Sequence, residues 1–343
     1  MRSASDVMGG AAVAVVGAGL VGMGWAVVFA RAGLRVRLYD SNPAVLAAAT
    51  VRIERQLLGL KREQLVREPV EHVMARITVC GALADALEGT AYVQESILER
   101  VELKRELMVQ LQAMDDGRRI IGSSTSGIPA SKFCYGLDIA PRVLIVHPVN
   151  PPSLVPLVEL VPSPMTDPQT LEFARELMTS VKQTAITVRR EIEGFVLNRL
   201  QAALLREAWA LVEDGVASVE DVDKTVRDGL GWRWSFMGPF ETIHLNAVGG
   251  VADYAMRLGP LYQRIAASRI HDAPWDEALI AKVEAQMLDA FPLERLVERC
   301  EWRDLQLMAF ARHRTAPGAQ GVGNPGLGEN QFVSSDSAGL PGA

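Results

Sequence analysis

The sequence predicts an α/β chain in which a mostly parallel sheet is followed by an all-helical second domain. Three observations carry that reading. Short apolar runs alternate with amphipathic helical stretches over residues 1–190, the order that builds a parallel sheet covered on both faces. The first connection is glycine-rich, Gly17-Ala18-Gly19-Leu20-Val21-Gly22. From Gly194 onward apolar residues recur at helical spacing, through Leu197, Leu200, Leu204, Leu205, Trp209 and Val212, and no convincing strand follows.

Taken in order, Ala12 to Val16 is a short apolar strand that enters the glycine run. The helical pattern Trp25, Val28, Phe29, Ala32 comes next, and Val36 to Tyr39 forms a second strand closed by Asp40. Residues 43–78 read as helical, with an apolar stripe at Leu46, Ile53, Leu57 and Leu60. Tyr92-Val93, Arg119 to Ile121 and Val143 to Val146 are further strands, and Leu157 to Val161 and Ala185 to Val188 extend the sheet. The expected division is a sheet domain over 1–190, a helical domain over 191–312 and a tail over 313–343. From Ala316 the tail is rich in Gly, Pro and Ser, has little to bury, and reads as disordered.

Composition narrows the class. At 343 residues the chain is long enough for two domains. Apolar residues make up 49%, yet no run approaches the roughly 20 residues of a membrane span. Residues 1–11 lack the basic and apolar regions of a signal peptide, so the expectation is a soluble, cytoplasmic protein. Cys80, Cys134 and Cys300 are isolated, which argues against a disulfide framework or a zinc site. A net charge of −6 with both signs interspersed marks no nucleic-acid surface.

Chemistry enters at two places. The glycine run follows a strand, opens a helix and has an acid about twenty residues on, the context a dinucleotide site requires. In such a Rossmann-type site Gly17 permits the tight turn, Gly19 lets the backbone approach a pyrophosphate and Gly22 lets helix pack on strand. Leu20 and Val21 open the helix whose N-terminus faces the phosphates. Asp40 is placed to accept the ribose hydroxyls and to repel a 2′-phosphate, favouring NAD over NADP. The second place is His147-Pro148-Val149-Asn150-Pro151-Pro152, with Glu159 twelve positions after the histidine. Both residues fall in apolar runs, and a buried carboxylate needs a partner. A histidine so paired suits proton abstraction from an alcohol; a purely structural His–Glu pair remains open on these residues alone. Ser126 alone reads as a turn residue, and Asn198, among Val196, Leu197 and Leu200, as a buried amide that needs partners. His244 reads as a core histidine, and Trp232, Trp234 and Phe236 as a core stripe or an interface anchor, packing rather than chemistry.

With these motifs in order, the chain resembles the 3-hydroxyacyl-CoA dehydrogenase superfamily from about Val13 to Arg312. The glycine loop with Asp40, Ser123-Ser124-Thr125-Ser126, His147 to Glu159, and Glu193-Gly194-Phe195-Val196-Leu197-Asn198-Arg199 carry the likeness. Within it, His147 to Pro152, Gly229 to Pro239, Glu241 to Asn246 and Glu301-Trp302-Arg303-Asp304 are similar to the lambda-crystallin, or L-gulonate 3-dehydrogenase, branch, with L-carnitine dehydrogenases as close relatives.

The resemblance implies an NAD-dependent oxidoreductase that takes a hydride from the 3-hydroxyl of a small L-3-hydroxy acid, with L-gulonate the leading substrate. It implies His147 and Glu159 as a catalytic dyad, Ser126 and Asn198 at the reacting oxygen, Asn150 near the substrate, and no metal. It also points to a twofold homodimer built on the helical half. Arg233, a lone cation in its stretch, is the expected anchor for the substrate carboxylate, with stacking on Trp232 or Trp234 as its bland alternative. Two rivals stand beside this reading. A 3-hydroxyacyl-CoA dehydrogenase needs cations after the second strand, but Arg52, Arg55, Lys61, Arg62 and Arg67 there are offset by Glu54, Glu63, Glu68 and Glu71. A non-enzymatic crystallin-like protein would have no use for an intact dyad and glycine loop.

Overall fold

The computed structural model describes residues 2–269 and 274–315. Eight strands form one sheet: β1 (Ala12–Val16), β2 (Val36–Tyr39), β3 (Ile77–Val79), β4 (Thr90–Glu95), β5 (Ile120–Ser123), β6 (Val143–Pro148), β7 (Leu157–Pro162) and β8 (Thr184–Thr187). Their order is β3-β2-β1-β4-β5-β6-β7-β8. All neighbours are parallel except β6 and β7, which pair antiparallel. The strand order reverses between β1 and β4, and in such sheets ligands bind beyond the strand C-termini at that point. Among the described residues no helix is long and apolar enough to cross a membrane.

Alternation along the strands splits the interior into two layers. Val13, Val15, Leu144, Val146, Val158 and Leu160 face a core built with α1 (Leu20–Arg31) and α2 (Pro43–Arg62), anchored by Trp25, Phe29, Ile53 and Leu57. Ala14, Val16, Ile121, Val143, Ile145 and Val161 face the other layer, with Met108 of α3 (Val101–Ala113) and Phe133. His147 and Glu159 continue the second set by the period-two rule, so both point to the α3 side. A further helix, α4 (Pro168–Ser180), covers the α1 side near the sheet edge through Ala174, Leu177 and Met178.

One helix is shorter than expected. The helical pattern drawn over residues 43–78 stops at Arg62. Gln64 takes a left-handed φ of 60°, which ends the helix. Pro69 then opens a short helical turn, and Ile77–Val79 pairs with β2 as an edge strand. Three residues with one partner strand leave too short an alternation to be read in advance.

The helical half runs through α5 (Leu197–Glu213), α6 (Gly231–Trp234), α7 (Pro239–Leu245), α8 (Gly250–Ser268), α9 (Glu277–Ala290) and α10 (Leu296–Thr315). It leaves the sheet on the α3 side, where Phe195 is fully buried, and comes back on the opposite side, where Met308 of α10 packs against Gly59 of α2. Arg312 of α10 pairs with Glu63 at 3.2 Å beside that contact. Trp209 stacks on Trp275 at 4.2 Å. Trp232, Trp234 and Phe236, read as a core stripe or an interface anchor, are exposed, which excludes the core stripe. His244, expected in a core, is also exposed; its Nδ1 accepts from the Val251 amide at 3.2 Å. The disordered tail expected over 313–343 is helical to Thr315, and residues 316–343 lie outside the described residues.

Gly122 of β5 offers a test of the packing. A Cβ there would stand 2.1 Å from the Tyr92 hydroxyl oxygen and 2.7 Å from Val146. Gly122→Ala should cost about 1–3 kcal/mol in urea unfolding. Gly81→Ala, with nothing within 4 Å of its Cβ position, should cost none. Equal stability of the two variants would contradict this packing.

Candidate active site

The glycine loop is shaped by two contacts and one open space. Gly17 has φ +100°, and a Cβ on it would meet the Ser96 carbonyl oxygen at 2.5 Å; a Cβ on Gly22 would stand 1.8 Å from the Gly17 carbonyl oxygen. These two glycines are explained by the fold itself. Gly19 is not: its φ of −70° and ψ of −170° suit any residue, and nothing lies within 4 Å of its Cβ position. Space left bare at the mouth of a helix is what a pyrophosphate approaching the backbone requires. Leu20 and Val21 form the first turn of α1 there. Asp40 closes the site beside them. Its Oδ2 accepts from the Ala18 amide at 2.7 Å and its Oδ1 from the Asn42 amide at 2.8 Å, fixing the carboxylate at the loop. Arg35 and Arg37 turn away, donating to Gly10 and Asp85 carbonyls. These residues fit an NAD molecule with its ribose at Asp40.

The second centre follows from strand register. In the antiparallel β6–β7 pair His147 lies directly opposite Glu159, and Nδ1 of the imidazole meets Oε2 of the carboxylate at 2.8 Å. Glu159 is fully buried. Its other oxygen, Oε1, accepts from the Val196 amide at 2.9 Å and the Leu197 amide at 3.0 Å. Those amides are free to point at it because they open α5. Gly194 and Phe195, at φ 73° and 51°, turn the chain into that helix. The Phe195 ring, fully buried, lies 5.6 Å from the imidazole ring. Burial pushes the Glu159 carboxyl up, but the His147 hydrogen bond and the Leu197 and Val196 amides outweigh it and hold it below the usual glutamate range.

A third element joins this centre through α5. Asn198 Nδ2 donates to the Ser126 carbonyl at 2.7 Å. Asn198 is half-buried rather than buried, since its neighbours Val196 and Leu200 are exposed. Ser126 itself is exposed, and its loop hangs on Glu99. Glu99 Oε1 accepts from the Thr125 hydroxyl at 2.5 Å, the Ser126 amide at 2.8 Å, the Ser126 hydroxyl at 3.2 Å and the Gly127 amide at 3.2 Å. Burial raises the Glu99 carboxyl, while Thr125, the Lys104 charge and the two amides more than offset it, leaving it low.

Sequence reasoning missed Glu99 and the buried pair beneath it. Lys104 Nζ lies 2.8 Å from Glu95 Oε1 and 3.6 Å from Glu99 Oε2, and the Ser123 hydroxyl donates to Glu95. The available signal was Glu95, an acid closing an otherwise apolar strand, with Lys104 on the inner face of the helix that follows.

The remaining expected residues separate. Asn150 is exposed at the end of β6. Its loop is held from below, where Arg31 of α1 donates to the Ser153 carbonyl at 2.8 Å and Gln56 of α2 to the Ser153 hydroxyl at 2.5 Å. Arg233 does not join this group. Its helix packs against residues 225–230 and α7, and Ser235, two residues on, accepts from Arg314 of α10. No cation–π contact with Trp232 or Trp234 is present among the described residues.

Comparison with known proteins identifies the family. The family model described as 3-hydroxyacyl-CoA dehydrogenase, NAD binding domain, matches residues 12–192, and that described as 3-hydroxyacyl-CoA dehydrogenase, C-terminal domain, matches residues 194–287. Lambda-crystallin of Oryctolagus cuniculus is 40% identical over 304 residues, covering 88% of this chain and 95% of that protein. L-carnitine dehydrogenase of Streptomyces griseus is 35% identical over 293 residues, covering 84% of this chain and 82% of that protein. The crystal structure of an NAD+-dependent dismutase, FHMPC 5-dehydrogenase, superposes with a TM-score of 0.76 at 26% identity, covering 88% of this chain and 97% of that one.

Two measurements test the geometry. Asp40→Ala removes a fixed carboxylate and its negative charge, so binding of NADPH relative to NADH should rise in fluorescence titration; an unchanged ratio would remove Asp40 from the nucleotide site. The lowered Glu159 carboxyl favours the folded state above the ordinary glutamate range, and that contribution is lost as pH falls through the lowered value. Urea unfolding from about pH 7 to about pH 3 should therefore show a shallower acid loss of stability in Glu159→Gln than in wild type. Identical acid limbs would show that the carboxylate is not so held.

Proposed function

The chain belongs to the 3-hydroxyacyl-CoA dehydrogenase family, and from that premise we propose that it oxidises the 3-hydroxyl of a small L-3-hydroxy acid, with L-gulonate going to 3-dehydro-L-gulonate as the leading reaction. The observation that carries the proposal is the His147–Glu159 pair, held on its far side by the amides that open α5. Gly17, Gly19, Leu20, Val21, Gly22 and Asp40 would hold NAD, which when bound supplies the hydride acceptor. With Nδ1 committed to Glu159, His147 keeps Nε2 to take the hydroxyl proton. Glu159 fixes the ring and stabilises the imidazolium that results. Ser126 and the remaining Asn198 amide hydrogen bond the oxygen as it becomes a carbonyl.

Two observations favour a free acid over a thioester. Two of the cations after the second strand are engaged, Lys61 donating to the Arg67 carbonyl and Arg62 lying 3.8 Å from Glu63, whereas the side chains of Arg52, Arg55 and Arg67 have no such partner among the described residues. The outer end of α2 is also covered by α10, through Met308 on Gly59 and Arg312 on Glu63. Arg233 is the proposed carboxylate anchor, since a guanidinium grips that group with two parallel hydrogen bonds. Among the described residues its side chain has no hydrogen bond or ion pair of its own. A homodimer completes the proposal, because the helical half leaves Trp232, Phe236 and Phe240 exposed.

The deciding assay follows NADH formation with L-gulonate, L-carnitine, 3-hydroxybutyrate and 3-hydroxybutyryl-CoA. Preference for L-gulonate is expected; preference for the thioester or for L-carnitine reassigns the substrate, and no turnover on any of them overturns the enzymatic reading. His147→Gln should lower turnover by roughly 10²–10⁴-fold with NADH binding retained, and near-wild-type turnover would make the pair structural. Arg233→Met should raise KM for the free acid far more than for its neutral ester, and equal losses would exclude carboxylate recognition.

A further inference from the structure

We infer that each active site is completed by the second copy of the chain, with the partner subunit's α6 carrying Arg233 into it. The inference rests on the proposed role of Arg233 and concerns which subunit supplies it. Within one chain the two halves of the site lie on different sides of the sheet. His147, Glu159 and the start of α5 belong to the α3 side, where Phe195 is buried. The segment carrying Arg233 is tied to the opposite side: Arg314 of α10 bonds the Ser235 carbonyl at 2.8 Å, and α10 rests on α2 through Met308 and Arg312.

What stands beside the site in its own chain is a hollow that none of the described residues closes over. Asn198, Ala202, Leu205, Arg206, Trp275 and Ile280 line an open pocket, apolar apart from the amide and the guanidinium, that starts at the Asn198–Ser126 contact and runs along one face of α5. Leu200 on the same helix is 62% exposed. The projecting counterpart is the unit from α6 to α8, whose closest packing is within itself, α6 on α7 and α7 on α8. Trp232 at 72%, Phe240 at 78% and Phe236, Leu245, Val248 and Met256 are exposed on it. At 150–250 Å² for a large aromatic side chain, these groups together with Leu200 present apolar surface on the order of 1,000 Å². That exceeds the roughly 800 Å² per partner of a standard stable interface. A protruding apolar unit and an apolar hollow that one chain cannot bring together are self-complementary across a twofold axis. The occupant is therefore a second copy of this chain. Placing that unit over α5 would exclude water from the dyad and bring in a guanidinium that has no partner among the described residues of its own subunit.

Subunit complementation tests it. His147→Gln and Arg233→Met subunits carrying different tags are co-expressed and the heterodimer isolated by tandem affinity. If Arg233 acts across the interface, one site of the heterodimer holds both native residues, so it should recover about half the wild-type activity per dimer, far above either parent. Activity no higher than the mean of the parents overturns the inference, as does light scattering showing a wild-type monomer of 37.3 kDa. Arg233→Lys, which keeps the charge, replaces Arg233→Met if the latter does not assemble. A readout independent of turnover separates this inference from the functional reading. Asn150→Cys subunits mixed with Arg233→Cys subunits, both carrying Cys300→Ser because that native thiol is only partly buried, should give a covalent dimer with a short bis-maleimide, while neither variant alone should, Cys80 and Cys134 being buried. Cross-linking without any hydroxy-acid activity would overturn the substrate proposal and support the shared site; failure to cross-link would overturn the shared site.

Discussion

Burying a carboxylate is the constraint around which this molecule is arranged. Glu159 sits in an interior strand with no access to solvent, where an unpaired charge would be prohibitive. Two features of the chain answer that cost. The antiparallel turn after β6 sets His147 opposite it, and the left-handed turn at Gly194 and Phe195 aims two backbone amides at its second oxygen. The helix those amides open carries Asn198 to the Ser126 loop. Phe195 shields the imidazole from the same side. Removing one partner would leave the others facing an uncompensated charge, so the group holds together as a unit.

Much of this was legible before any coordinates. The βαβ rhythm, the glycine loop with Asp40 and the His–Glu spacing all depend on local patterns: alternation, glycine at fixed offsets, a polar residue in an apolar run. Gly19 even keeps its meaning in three dimensions, since nothing in the folded protein accounts for its missing side chain. What escaped was set by contacts far apart in sequence. Glu99 matters because four donors from residues 125–127 converge on one oxygen, a convergence no spacing rule encodes. Ile77–Val79 is a strand only because β2 offers it an edge.

The exposed aromatic residues teach a different lesson. Trp232, Trp234 and Phe236 are apolar enough to be core by composition, and the helical spacing around them agrees with that. Burial, however, is a property of an assembly as much as of a chain. A pattern that predicts an apolar face says that something covers it without saying which molecule does. Asn198 shows the converse: its apolar neighbours Val196 and Leu200 point outward, while the amide finds its partner on a loop from the sheet domain.

The return of α10 to the sheet has a mechanical consequence. The helical half touches the nucleotide-binding half at two separated places, Phe195 on one face and Met308 on the other. A body attached at one point can swing in any direction, but one attached at two points keeps a single easy rotation, about the line joining them. A rotation of the helical half against the sheet would therefore have one easy direction, about a line from the phenylalanine beside His147 to the methionine on the opposite face of the sheet.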